Sequence, residues 1–145
     1  MIVLDTNVLS ETMAAAPDPA VVAWLNAQAL ETVYLTAITV AELRYGAALM
    51  PPGRKRRRIE DLTASYVDDL FADRILAFDL SATLLFAERA AAARRQGREL
   101  PGFADAAIAA IALSRGFQVA SRDTGPFEAM GASVTNPWTV PIEGH

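Results

Sequence analysis

The chain has no cysteine and a single histidine among its 145 residues. Without cysteine there is neither a disulfide nor a thiolate metal site, which fits a reducing, cytoplasmic setting. The one histidine is His145, the last residue, and chain ends are poor places to build a site. A Ser-His-Asp triad, a histidine-pair ribonuclease and a histidine-rich zinc site are all disfavoured on this count. Long apolar runs are missing too, since no stretch approaches the roughly 20 residues that a membrane-spanning helix needs. The N-terminus lacks the basic flank of a secretory signal, so no membrane association is expected. Excess positive charge is also absent: 13 Lys and Arg against 17 Asp and Glu leave a net charge of −4, unlike a nucleic-acid coat protein. Chemistry must then run on carboxylates, hydroxyls, amides or arginine.

What is present is a strongly apolar chain (52%) of the length of one domain, read here as spanning 1–145. The apolar excess leaves surface to hide, and self-association is expected. Ile2-Val3-Leu4 reads as a buried strand that ends at Asp5. A short helix is expected from Asn7, and a second over 20–29 behind the start signal Asp18-Pro19. Val33–Thr36 reads as a strand. Thr39-Val40-Ala41-Glu42 has capping-box spacing and opens a helix towards Met50. Beyond Pro51-Pro52-Gly53, one long helix is expected from the basic run Arg54–Arg58 to about Phe71, with Ile59, Leu62, Tyr66 and Leu70 on one stripe. Further strands are expected at 75–78 and 117–120, with an edge strand at 133–135. Helices are expected from Ser81 to near Gly97 and from Phe103 to Arg115. Strands alternating with helices predict a three-layer α/β/α fold around a central, mostly parallel sheet of roughly four to five strands.

The carboxylates fall on this map in a pattern. In open α/β sheets ligands bind beyond the carboxyl ends of the strands. Asp5 ends the first strand, Glu42 sits in the first helical turn after the second, and Asp123 follows the fourth. Asp105 joins that rim if its helix packs antiparallel to the fourth strand. Each residue also has a plain structural explanation: Asp5 as a helix cap, Glu42 as the third member of a capping box, Asp105 as a charge favouring a helix dipole, Asp123 as a turn residue. Asp79 serves as a control, because it too follows a strand, yet it should lie away from the site if that strand is at the sheet edge. Two carboxylates about 4 Å apart repel by roughly 4 kcal/mol at an effective dielectric near 20, and a cluster needs compensation. All-oxygen donors select a hard divalent cation, Mg²⁺ or Mn²⁺. Such an ion polarises a phosphodiester and activates water, so phosphodiester hydrolysis is the expected chemistry.

Five segments, Ile2–Ser10, Thr39–Gly46, Asp105–Ala110, Ala120–Asp123 with Phe127, and Asn136-Pro137-Trp138, together resemble the PIN-domain family and, within it, the VapC/FitB-like toxins of toxin–antitoxin pairs. The resemblance covers nearly the whole chain, in order. It implies an Mg²⁺-dependent endoribonuclease acting on tRNA or rRNA, in which Asp5, Glu42, Asp105 and Asp123 hold the metal and position water. Asn7 and Ser121 would orient ligands or the phosphate. The family usually has Thr where this chain has Ser121, and the hydroxyl is kept. The resemblance further implies a homodimer, a cognate antitoxin that blocks the rim, and operator DNA reached through that antitoxin. Two other functions compete. An aspartyl phosphatase also starts with an apolar strand ending in Asp, but it wants a second Asp where Asn7 stands. A non-enzymatic subunit that binds an antitoxin and tunes operator binding is the other. The Arg54–Arg58 run reads either as a solvated helix face or as an edge that contacts phosphate or a partner.

Overall fold

The computed structural model describes residues 1–99 and 101–141. His145 lies outside them. Five strands form one parallel sheet: β1 (Ile2–Leu4), β2 (Val33–Thr36), β3 (Ile75–Leu76), β4 (Gln118–Ala120) and β5 (Val134–Thr135), in the order β3-β2-β1-β4-β5. The opening strand is thus central, with Val3 beside Tyr34 on one side and Val119 on the other. Strand periodicity sends alternate side chains to opposite faces. Val3, Leu76 and Val119 join one core cluster, while Ile2, Leu4, Val33 and Leu35 join the other.

The first cluster is covered by α5 (Leu80–Arg95), α6 (Phe103–Arg115) and the short α7 (Gly125–Ala129). Residues 106–112 of α6 are all buried, which explains its almost unbroken apolar sequence. The second cluster takes in α1 (Thr6–Thr12), α2 (Pro19–Asn26) and the helix α4 (Arg54–Ser65), with α3 (Ala37–Leu49) between α1 and α4. This is the expected α/β/α arrangement. Among the described residues no helix is long and apolar enough to cross a membrane.

Three local expectations are corrected. The helix after β2 starts before Thr39: Thr36 is its N-cap, with its hydroxyl accepting from Thr39 N at 3.0 Å. Glu42 therefore belongs to the second turn and is free of any capping-box role. The long helix also does not run unchanged to Phe71, because Tyr66–Leu70 widens into a π-helical turn, closed by Phe71 N donating to Tyr66 O at 2.9 Å. The extra residue in that turn rotates the apolar stripe by one position. Phe71 is buried in place of the predicted Leu70, which is exposed. Finally, Asp79 rather than Ser81 opens α5, its carboxylate accepting from Ala82 N.

Candidate active site

Asp5 stands where β1 passes into α1, and it is almost wholly buried. It does serve α1 as N-cap, since Oδ1 accepts from Thr6 N at 2.8 Å. Its other oxygen, Oδ2, accepts from the Ser121 hydroxyl at 2.7 Å. The cap and the site thus use different oxygens of one carboxylate. Ser121, fully buried at the end of β4, is held in turn by Asp123 N at 3.1 Å and by Asn7 Nδ2 at 3.3 Å. Asn7 Oδ1 accepts from Arg122 N at 3.2 Å, so Asn7 clips the loop after β4 to the start of α1. Across the cavity the Thr6 hydroxyl donates to Glu42 Oε1 at 2.5 Å.

Asp105 lies in the first turn of α6. Only Gly116 and Phe117 separate α6 from β4, so the helix runs back along the sheet and its start lies at the edge where the strands end. Gly116 has a φ of 70° and makes that tight reversal possible. Asp5, Glu42 and Asp105 share one cavity of about 470 Å³ with Thr6, Asn7, Ser10, Glu11, Arg122 and Trp138. Asp123 is exposed and lines a neighbouring cavity, yet its charge reaches both Asp5 and Asp105. Asp79 lies elsewhere, beyond edge strand β3 and engaged in capping α5.

The electrostatics show carboxylates crowding one another. Burial pushes the Asp5 carboxyl above its ordinary value; the hydrogen bonds from Ser121 and Thr6 oppose this, and the charges of Glu42 and Asp123 add to it. Burial, then Asp5, Glu42 and Asp123, push Asp105 up to about 6. Among the described residues none of these four carboxylates is in a salt bridge; the ion pairs are Arg56–Glu60 and Arg74–Asp73. Nor do any three acidic side chains among the described residues already surround a common point as metal ligands. The donors are nonetheless all oxygens on one rim, and among the described residues no protein cation is paired with them, a set suited to a hard divalent ion.

Sequence reasoning missed four lining residues of interest: Thr6, Ser10, Arg122 and Trp138. Thr6 and Arg122 had a visible signal, because each is a chain neighbour of a rim carboxylate. Trp138 was marked only as part of the family-like segment Asn136-Pro137-Trp138, because its approach to Arg122 depends on how the segment after β5 returns across the rim.

The PIN domain family model matches residues 2–132 of the chain. The chain belongs to the PIN-domain family. Among curated relatives, the VapC ribonuclease Y4jK of Sinorhizobium fredii is 51% identical over 95% of this chain and 98% of its own. The solved FitAcB structure from Neisseria gonorrhoeae matches with a TM-score of 0.86 and 44% identity, covering 97% of this chain and 100% of that one. A structure of FitAB bound to an IR36 DNA fragment matches at 0.90 and 43% identity, with both chains fully covered. These relatives place the chain in the VapC/FitB-like branch of the PIN family.

Proposed function

We propose that this PIN-domain protein is a divalent-metal-dependent endoribonuclease, acting as a single domain and as the toxin of a toxin–antitoxin pair in the cytoplasm. The observation that carries this reading is the gathering of Asp5, Glu42 and Asp105 in one cavity, with Asp123 in electrostatic reach and no cation paired to any of them among the described residues. The name of the VapC relative supports RNA as substrate, of the tRNA or rRNA class. Asp5, Glu42, Asp105 and Asp123 would hold Mg²⁺, or Mn²⁺ in its place. When bound, such an ion polarises the scissile phosphodiester and lowers the pKa of the attacking water. Ser121 holds Asp5 Oδ2 in place, Thr6 holds Glu42, and Asn7 keeps the β4 loop and Ser121 against α1. Asn7 is committed to these contacts and offers no carboxyl for the acid–base step of an aspartyl phosphatase, which removes that alternative's second group.

Partners follow from the relatives and from the surface. Solved FitAB carries a DNA fragment, which supports a cognate antitoxin here and operator DNA contacted through it. Leu80, Leu84 and Phe103 are 84%, 70% and 62% exposed on neighbouring helices α5 and α6. That apolar ridge is the surface a homodimer would bury.

The test is cleavage of structured RNA by the protein freed of partners. Activity is expected with Mg²⁺, is abolished by EDTA, and falls at least about 100-fold in Asp5→Ala and Asp105→Ala. Cleavage that survives both substitutions refutes the assignment. If cells tolerate the unpartnered protein as well as they tolerate Asp5→Ala, the toxin role is wrong.

A further inference from the structure

The basic run Arg54–Arg58 divides once its side chains are placed. Arg56 pairs with Glu60 at 3.0 Å and donates to the Met50 carbonyl. Arg58 donates to the Met13 carbonyl at 2.5 Å and so ties α4 to the end of α1. Arg54, Lys55 and Arg57 are exposed and make no salt bridge among the described residues. Cations in the first turn of a helix oppose its dipole, so the fold gains nothing from them there. Arg54 and Lys55, but not Arg57, line a groove of about 1040 Å³ between α1, α3 and α4. Thr6, Ser10 and Glu42 line this groove and the carboxylate cavity alike, so the two are continuous.

On the β4 side of the same cavity, Arg122 lies over the Trp138 ring, 5.1 Å from its centroid. Asn136 clamps the pair: its Nδ2 donates to the Arg122 carbonyl at 3.3 Å and its Oδ1 accepts from Trp138 N at 2.9 Å. Arg122 lines a cavity containing Asp5, Glu42 and Asp105 and yet makes no salt bridge among the described residues. Stacking on Trp138 keeps it clear of the carboxylates.

We propose that these features are two anchors of one single-stranded RNA path through the site. Arg54 and Lys55 engage phosphates on one side of the bond to be cut, and the Arg122–Trp138 stack receives a base on the other. A basic track with flat stacking surfaces is how single strands are held without sequence readout, and bases stack on guanidinium planes as on aromatic rings. On a chain of net charge −4, two cations that make no salt bridge among the described residues and line a groove continuous with the reaction site match a polyanion in charge. The apolar floor of the groove, including Met13, Leu43 and Ile59, is left to sugar and base faces. This inference rests on the ribonuclease reading.

The test measures the binding of a fluorescein-labelled single-stranded RNA of mixed sequence to the cleavage-deficient Asp105→Asn protein at several salt concentrations. Cleavage kinetics are measured in the otherwise unaltered protein. The Arg54→Glu/Lys55→Glu pair is expected to weaken binding at least about tenfold and to flatten the log–log salt slope by about 1.4, or about 0.7 per lost phosphate contact. Arg57→Glu, an equally exposed cation outside the groove, should change neither appreciably. Trp138→Leu and Arg122→Ala should raise KM about tenfold with a smaller effect on kcat, and Trp138→Phe should restore most of it. In Trp24→Phe, where Trp138 is the sole tryptophan, RNA should quench the emission. Equal effects of Arg57→Glu and the groove pair, or an unchanged slope in the groove pair with cleavage intact, overturn the path. If the groove pair leaves RNA binding intact and weakens only antitoxin binding, the groove is a protein dock and the path is likewise overturned. Wild-type protein that neither binds nor cuts RNA refutes the ribonuclease reading itself, and the path with it.

Discussion

At the scale of single residues, the site is governed by what a buried carboxylate costs. Two donors, the Ser121 hydroxyl and Thr6 N, favour the charged form of Asp5, but burial together with two neighbouring charges outweighs them and its carboxyl rises. Asp105 has no such donors among the causes that set its pKa, and its carboxyl rises from 3.8 to about 6. The sign of the consequence follows from linkage. The native protein holds a proton that the unfolded chain releases between pH 3.8 and about 6, so this group's contribution to stability is complete below the lower value and is lost as pH rises through the upper. Asp105→Asn should therefore raise the metal-free Tm at pH 7 by a few degrees and leave it nearly unchanged near pH 4. Because Asp105 is partly solvated, screening holds the gain to about 1 kcal/mol. Differential scanning calorimetry with and without Mg²⁺ checks this, since Mg²⁺ should stabilise the parent protein at pH 7 and should stabilise the variant less. An Asp105→Asn protein no more stable than its parent at pH 7 would mean that burial and the neighbouring carboxylates do not raise the Asp105 carboxyl.

At the scale of elements, small shifts of phase decide which side chains face the rim. Thr39-Val40-Ala41-Glu42 has the spacing of a capping box, but Thr36 caps α3 and leaves Thr39 buried inside its first turn. Two threonines three residues apart offer the same hydroxyl chemistry, and only the end of β2 selects between them. That choice moves Glu42 out of the first turn and onto the cavity. Thr36→Ala should destabilise the protein by about 1–2 kcal/mol, the cost of a lost N-cap, raised towards the upper end by the burial of Thr39 Oγ1, which Thr36 also contacts at 3.0 Å. Urea unfolding measures this. A cost below a few tenths would place the helix start elsewhere. The π-helical turn after α4 makes the same point, since a periodicity of 3.6 predicts Leu70 at the core and the inserted residue delivers Phe71 instead. No composition signal marks such a turn; it arises where Phe71 N bonds to Tyr66 O.

At the scale of the whole molecule, parallel strand order collects carboxylates from distant parts of the sequence. With β1 in the centre and β2 and β4 beside it, the chain exits of three strands and the start of α6 share one edge, while Asp79 falls beyond edge strand β3. The apolar ridge of Leu80, Leu84 and Phe103 lies on the helices that cover one face of that sheet, and Phe103 opens the helix whose first turn carries Asp105. Self-association through this ridge would bring two sites near one interface. With the ridge as the proposed dimer surface, Leu84→Asp is expected to give a monomer in light scattering at micromolar concentrations where the parent protein is dimeric, with its far-UV circular dichroism unchanged. A dimer that persists with the same affinity would move the interface away from α5.

The α/β class, the buried opening strand, most helix positions and the placing of Asp5, Glu42 and Asp105 on one rim were all legible in the sequence. Each is written in local patterns: apolar runs, Asp18-Pro19 before α2, glycine after α6, acids at strand ends. The absence of cysteine and of any histidine but His145 narrowed the chemistry to oxygen ligands before any fold was considered. Only the tertiary structure decided that Asp5 serves a helix and a site with different oxygens, that Arg56 and Arg58 are fastened within the fold while Arg54 and Lys55 face a groove, and that Arg122 stacks on Trp138. Those outcomes depend on contacts between segments far apart in sequence, such as Asp5 and Ser121, which are 116 positions apart. Local periodicity carries no information about contacts of that kind.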